Sequence, residues 1–116
     1  TENDAGMHWG YPNCFTEFEL SADVAKGRGT AWAWPSFLNE GYTDEQCRTD
    51  HIAPAMALQA HSAPLGITFY EWKTDRPSQC ADTAFPQWMD GYAFLAYHGS
   101  WNRDIPTGYK VVYVAM

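Results

Sequence analysis

His98, Trp101, Asn102 and Arg103 stand together in one turn-rich stretch, "HGSWNRDIPTG", at residues 98 to 108. A turn needs the Gly99, Pro106 and Gly108 of that stretch, but it does not need a cation, an imidazole and an indole side by side. Those side chains together suit a planar or anionic ligand. Arg103 offers a flat fork of donors for a carboxylate or phosphate, which the point charge of a lysine does not match. Its plainer role is a surface ion pair with Asp104 or Glu71, which contributes little. Trp101 can stack on a sugar ring or a flat cofactor, or it can close the core of a sheet. Asn102 can hydrogen-bond a ligand, or simply hold a left-handed turn position. His98, and His61 further back, are candidate bases or hydrogen-bond donors, or ordinary structural imidazoles.

Other constellations carry less. The order His98, Ser100, Asp104 invites a hydrolase triad. It is excluded because no Gly-x-Ser-x-Gly elbow is present and residues so close in sequence do not build that geometry. His8 and His51 have no partner grouping near them in the sequence. "END" at 2 to 4, with Glu17, Glu19 and Asp23, lacks the spacing of an EF-hand calcium loop. Trp32 and Trp34 in "WAWP" suit either carbohydrate stacking or burial.

The elements that must position these residues lie mostly in the second half. "LGITFYEW", "GYAFLAYH" and "GYKVVYVA" are rich in β-branched and aromatic residues and are each opened by a turn signal. They predict strands over 65–71, 92–97 and 109–114, forming a three-stranded antiparallel meander over 61–116. With the first strand running up, the segment before it and the loop between the second and third share one edge. His61 and the His98–Arg103 group are therefore expected on one rim, and the Cys80 loop, 73 to 90, on the other. Loops at one end of a rigid β scaffold commonly carry function. Residues 1–60 are loop-rich, with a short strand expected at "TEFEL". Thr43 and Gln46 form a capping-box pattern that predicts a short helix near 44–49, limited by Pro54. We take 1–116 as a single partial domain, with no internal repeat.

Composition bounds the rest. The 116 residues are about one domain in length, 46% hydrophobic, with no run near the roughly 20 apolar residues of a membrane span. Aromatics make up 16%, a level that strand-rich folds favour. Seven Lys and Arg against 14 Asp and Glu give a net charge of −7, which leaves no basic surface for nucleic acid. Of three cysteines, Cys14, Cys47 and Cys80, at least one has no partner within the chain. Loops carrying cysteine suggest secretion into an oxidising, extracellular compartment, with Cys14 paired to Cys47. The chain starts at Thr1 and stops at Met116 inside a strand-like run, and it reads as a piece of something longer.

"HSAPLGITFYE", followed by "FPQWMDGYAFLAYHGSWNRDIPTGYKVVYV", resembles the C-terminal blades of the sorbosone/glucose dehydrogenase family. "GMHWGYPNC" resembles a Gly-Tyr-Pro segment of the same family. The Cys-bearing, loop-rich form is most similar to fungal secreted pyranose dehydrogenases. The resemblance implies an all-β fold, about one to two blades of a six-bladed β-propeller. It implies a quinoprotein that oxidises a sugar with hydride transfer to pyrroloquinoline quinone (PQQ). His61, Trp101, Asn102 and Arg103 would then contact the cofactor and His98 the substrate. The catalytic histidine and the calcium ligands are expected upstream of Thr1, so no catalytic residue is assigned in this chain. The remainder of the propeller, a sugar and an electron acceptor are the implied partners, and the chain alone is not expected to be active. The rival readings are a non-catalytic carbohydrate-binding module and a small disulfide-stapled secreted protein.

Overall fold

The computed structural model describes residues 2–80 and 82–115. It separates into two compact units, Thr1–Ala60 and His61–Met116.

The first unit is built on a two-stranded antiparallel ribbon, β1 (Cys14–Thr16) and β2 (Ala31–Ala33), with Phe15 opposite Trp32. The strand expected at "TEFEL" forms earlier, over Cys14–Thr16, and Glu17 closes it, its N donating to Thr30 O and its O accepting from Gly29 N, both at 2.8 Å. Its buried carboxylate accepts from Lys26 N, Gly27 N and Trp32 Nε1, each at 3.0 Å. One side chain thus organises the long connection between the strands. Burial of this carboxylate raises its pKa, but the bonds from Lys26, Trp32 and Gly27 outweigh that and hold it below the ordinary glutamate value.

Two short helices follow. α1 (Pro35–Leu38) begins on a proline, whose missing N–H is no loss in a first turn. α2 (Asp44–Thr49) carries the capping box that the sequence predicts: Gln46 N donates to Thr43 Oγ1 at 3.2 Å and Thr43 N donates to Gln46 Oε1 at 2.8 Å. Ala33 N donates to Asp44 Oδ1 at 2.8 Å, which joins the start of α2 to β2. The Cys14–Cys47 disulfide joins the same helix to β1.

The second unit is one antiparallel sheet of β3 (Pro64–Phe69), β4 (Ala93–Tyr97) and β5 (Lys110–Val114), in the order β3-β4-β5. This is the expected meander. The register places Ile67, Leu95 and Val112 in one row across the sheet, and Thr68, Phe94 and Tyr113 in the next. Adjacent rows face opposite ways, so both faces carry apolar side chains. Leu65 at 73%, Ile67 at 60%, Val111 at 67% and Tyr113 at 59% exposure show that neither face is covered within the unit. Buried residues are few, Met89, Ala93 and Tyr97 among them.

β3 ends at Phe69, short of the expected residue 71. Beyond it Tyr70 still bonds Tyr92 and Gly91, but Trp72 N turns to Asp90 Oδ1 at 2.7 Å. The 73–90 loop folds back here. Tyr70 Oη donates to Phe85 O at 2.7 Å, and the Arg76 guanidinium lies 4.0 Å over the Trp72 ring.

Candidate functional site

At the opposite end of the sheet, the backbone draws the two sequence-predicted segments together. His98 N donates to Ala63 O at 2.9 Å and Gly99 N donates to Ser62 O at 3.1 Å. The His61 segment therefore lies against the base of the 98–108 loop. That loop is pinched at its neck. Ser100 N donates to Thr107 O at 2.7 Å, and Thr107 N donates to Ser100 Oγ at 2.9 Å. Below this pair Gly108 and Gly99 meet backbone to backbone: a Cβ on Gly108 would lie 2.1 Å from the Gly99 Cα.

The pinch projects residues 101 to 106 as a tip. Trp101 is 90% exposed, so among the described residues it closes no core. Asn102, Arg103, His98 and His61 are exposed as well. Glu71, one ion-pair partner considered for Arg103, instead pairs with Lys73 Nζ at 2.5 Å. The side chains at this end thus include a guanidinium fork, an amide, an indole and two imidazoles, all exposed.

Backbone strain gathers at the same place. Among the described residues the non-glycine residues with positive φ are His61 (57°), Ala63 (49°) and Tyr109 (49°). A left-handed conformation costs an L-residue about 1–2 kcal/mol. Strain of this kind collects where a site must be held in one geometry. Tyr109 was not singled out from the sequence. Its ring packs on Gly99, where a Cβ would come within 2.8 Å of Tyr109 Cε2, and lies 5.9 Å from the His98 ring. At 79% exposure it adds a fifth kind of side chain to the rim. Its signal was Gly108 beside it, which marks a backbone about to turn left-handed.

The first unit holds a second grouping that the sequence reading passed over. His8 and His51, apparently without partners, are bonded Nδ1 to Nδ1 at 2.9 Å. Gly10 N donates to His8 Nδ1 at 2.9 Å, and Tyr42 Oη bonds His51 Nε2. A separation of 43 residues hid this pair. Trp32 is structural, bonded to Glu17 with Arg48 and Lys26 at 5.2 and 5.4 Å from its ring. Trp34 is half exposed and meets Phe15 edge-on at 5.6 Å, lining an apolar pocket with Tyr11, Pro12 and Phe37. Cys80 is a free, exposed thiol.

Among the described residues no three His, Cys, Asp or Glu side chains converge on one point. Among the same residues no helix is long and apolar enough to cross a membrane.

Comparison with known proteins gives one consistent result. A PQQ-dependent pyranose dehydrogenase of Coprinopsis cinerea is 36% identical over 115 residues, covering 97% of this chain and 13% of that protein. The holo form of the pyranose dehydrogenase PQQ domain from the same fungus superposes with a TM-score of 0.66 at 32% identity, over 93% of this chain and 22% of that one. The calcium structure of a Trichoderma reesei carbohydrate-active enzyme of family AA12 gives a TM-score of 0.70 at 30% identity, over 95% and 24%. The chain thus spans 13% of the curated relative and under a quarter of each solved one. The TrAA12-like family model matches residues 1–116 throughout, and the chain belongs to that family.

Proposed function

We propose that this chain is one segment of a secreted, PQQ-dependent sugar dehydrogenase, and that the rim built by His61, His98, Trp101, Asn102 and Arg103 forms one wall of its cofactor and substrate pocket. The observation that carries the reading is the junction of the His61 segment with the pinched 98–108 loop, where the strained, non-glycine residues also gather. Scaffolds concentrate strain where side chains must be pre-positioned.

The side chains fit the group. A flat tricarboxylate quinone needs a planar cationic fork, further donors and an aromatic face, which Arg103, Asn102 and Trp101 supply. Bound there, the quinone would serve as the acceptor of hydride from the sugar. His61 would line the cofactor and His98 the sugar. Tyr109 stands against His98 and would limit the orientations of its ring. The catalytic base is proposed to lie outside this chain. The calcium ligands are likewise proposed to lie outside this chain. No step is assigned to calcium.

The sheet supports membership of a larger fold. Apolar rows on both faces of β3-β4-β5 require a layer on each side, as in a propeller blade flanked by its neighbours. The remainder of the propeller is the proposed partner. The disulfide at Cys14–Cys47 fits an extracellular protein.

The test is reconstitution of the complete apo protein with PQQ, followed by sugar-dependent reduction of a dye acceptor. Saturable cofactor binding that quenches tryptophan fluorescence, with the quench lost in Trp101→Phe, is the expected result. Cofactor binding whose quench is unchanged in Trp101→Phe, with affinity unchanged when Arg103 is also replaced by Ala, would remove this rim from the pocket.

A further inference from the structure

We propose that His8 and His51 form a two-imidazole chelating site for a divalent transition metal, copper(II) first, separate from any quinone chemistry. The two Nδ1 atoms are 2.9 Å apart. Imidazole nitrogens bind such ions at about 2.0–2.1 Å, so this separation corresponds to an angle of about 90° at the metal. Two ligands of a tetrahedral zinc ion would stand about 3.3 Å apart at the same bond length. The spacing is therefore that of neighbouring positions in a square-planar or octahedral complex, the geometry of copper(II) or nickel(II) with nitrogen ligands. Copper(II) also stands highest of the first-row divalent ions in affinity for nitrogen.

The hydrogen bonds fix what each ring presents. Gly10 N–H donates to His8 Nδ1, so the His8 proton sits on Nε2. The contact between the rings then requires His51 Nδ1–H as donor, which leaves His51 Nε2 to accept from Tyr42 Oη. A metal entering between the rings replaces the Nδ1 proton of His51. That proton moves to Nε2 of the same ring, and Tyr42 Oη turns from donor to acceptor. No net proton is released by this tautomer change. Tyr42 becomes the outer partner that orients a ligating imidazole. The ion displaces the bond between the two rings and the Gly10 N–H bond to His8.

Local structure already holds the pair in place. Ile52 N donates to His8 O at 3.0 Å, and the Cys14–Cys47 disulfide ties together the two segments that carry the histidines. Gly10 makes the close approach possible: a Cβ there would meet the Cys14 Cβ at 3.0 Å and the His51 Cβ at 4.0 Å. His8 is exposed and His51 half-buried, so an ion can enter from solvent and water can complete its coordination.

The experiment is a copper(II) titration of the purified protein in a non-coordinating buffer, with glycine as competing chelator and electron paramagnetic resonance as readout. One equivalent should bind, with splitting from two nitrogens. His8→Ala should weaken binding at least tenfold and reduce the splitting to one nitrogen. Zinc should bind more weakly than copper. Tyr42→Phe keeps both ligands and should weaken binding by up to about tenfold. It decides the matter if near-ultraviolet circular dichroism shows that His8→Ala disturbs the fold. An affinity unchanged in His8→Ala and in Tyr42→Phe would overturn the site. An equal loss in His61→Ala and His98→Ala, the mark of scattered surface imidazoles, would overturn it too.

Discussion

Gly108 and Gly99 touch through their backbones, so closely that a methyl group on Gly108 would sit 2.1 Å from the Gly99 Cα and 2.7 Å from its N. This contact closes the neck of the loop that carries Trp101, Asn102 and Arg103. Because Gly108 also has φ 111°, replacing it by Ala adds a clash with backbone to left-handed strain. Gly108→Ala should cost about 2–3 kcal/mol in a urea unfolding curve. Gly41→Ala has φ 86° but open space around it and should cost only about 1 kcal/mol. Equal costs at the two positions would mean that the neck is not closed.

Tyr109 offers the opposite trade. Its ring is 79% exposed, so little packing is lost with it, whereas Asn tolerates φ of 49° better. Tyr109→Asn should leave folding stability unchanged or raise it by up to about 1 kcal/mol, yet weaken ligand binding at the rim. Thermal unfolding of the apo protein, set beside cofactor titration, separates the two effects. A destabilised variant with normal binding would make Tyr109 a structural residue.

The Cys14–Cys47 bridge closes a loop across a sequence separation of 33. Constraint of a chain of that length stabilises by about 3–4 kcal/mol. The double replacement Cys14→Ser with Cys47→Ser should lose most of this in denaturant unfolding under oxidising conditions. Cys80→Ser, at an exposed free thiol, should lose almost none.

Acid should act through Glu17. Its folded pKa is depressed, so the stability it contributes is fully present above the ordinary glutamate value of about 4.3 and is lost as pH falls through the lower folded value. Glu17→Gln should be less stable than wild type at neutral pH, since an amide offers one acceptor oxygen to three donors. Its stability should also change less between pH 5 and about 3. Parallel acid titrations of the two proteins check this, and identical slopes would contradict it.

Local signals made the second unit legible and left the first obscure. β4 and β5 follow from runs such as "AFLAY" and "KVVYV", whose β-branched and aromatic residues suit a pleated surface wherever they pack. α2 follows from Thr43 and Gln46, because a capping box is a three-residue pattern. The β1–β2 ribbon was missed: each strand is three residues long, too short for any period to show. "TEFEL" alternates like a strand, yet the pairing ends at Glu17, whose backbone bonds Thr30 and Gly29 while its carboxylate takes three donors from the facing connection, and Phe18 to Leu20 lie beyond it. At the rim, the joining of His61 to the 98–108 loop was derivable from strand direction alone. The strain at His61, Ala63 and Tyr109 was not, since only Gly108 hinted at it.

The central claim is that Arg103 belongs to a cofactor-binding rim, and the most direct measurement is PQQ titration of the complete apo protein with Arg103→Ala and Arg103→Lys. Loss of a charge-assisted contact of about 1.5–3 kcal/mol corresponds to a weakening of roughly ten- to a hundred-fold. Arg103→Lys should recover only part, because an ammonium cannot reproduce the planar fork. Thermal unfolding of the apo forms should be the same for all three proteins, since Arg103 is exposed. Unchanged affinity in Arg103→Ala, together with a drop in apo stability, would contradict the account and make Arg103 a support for the loop.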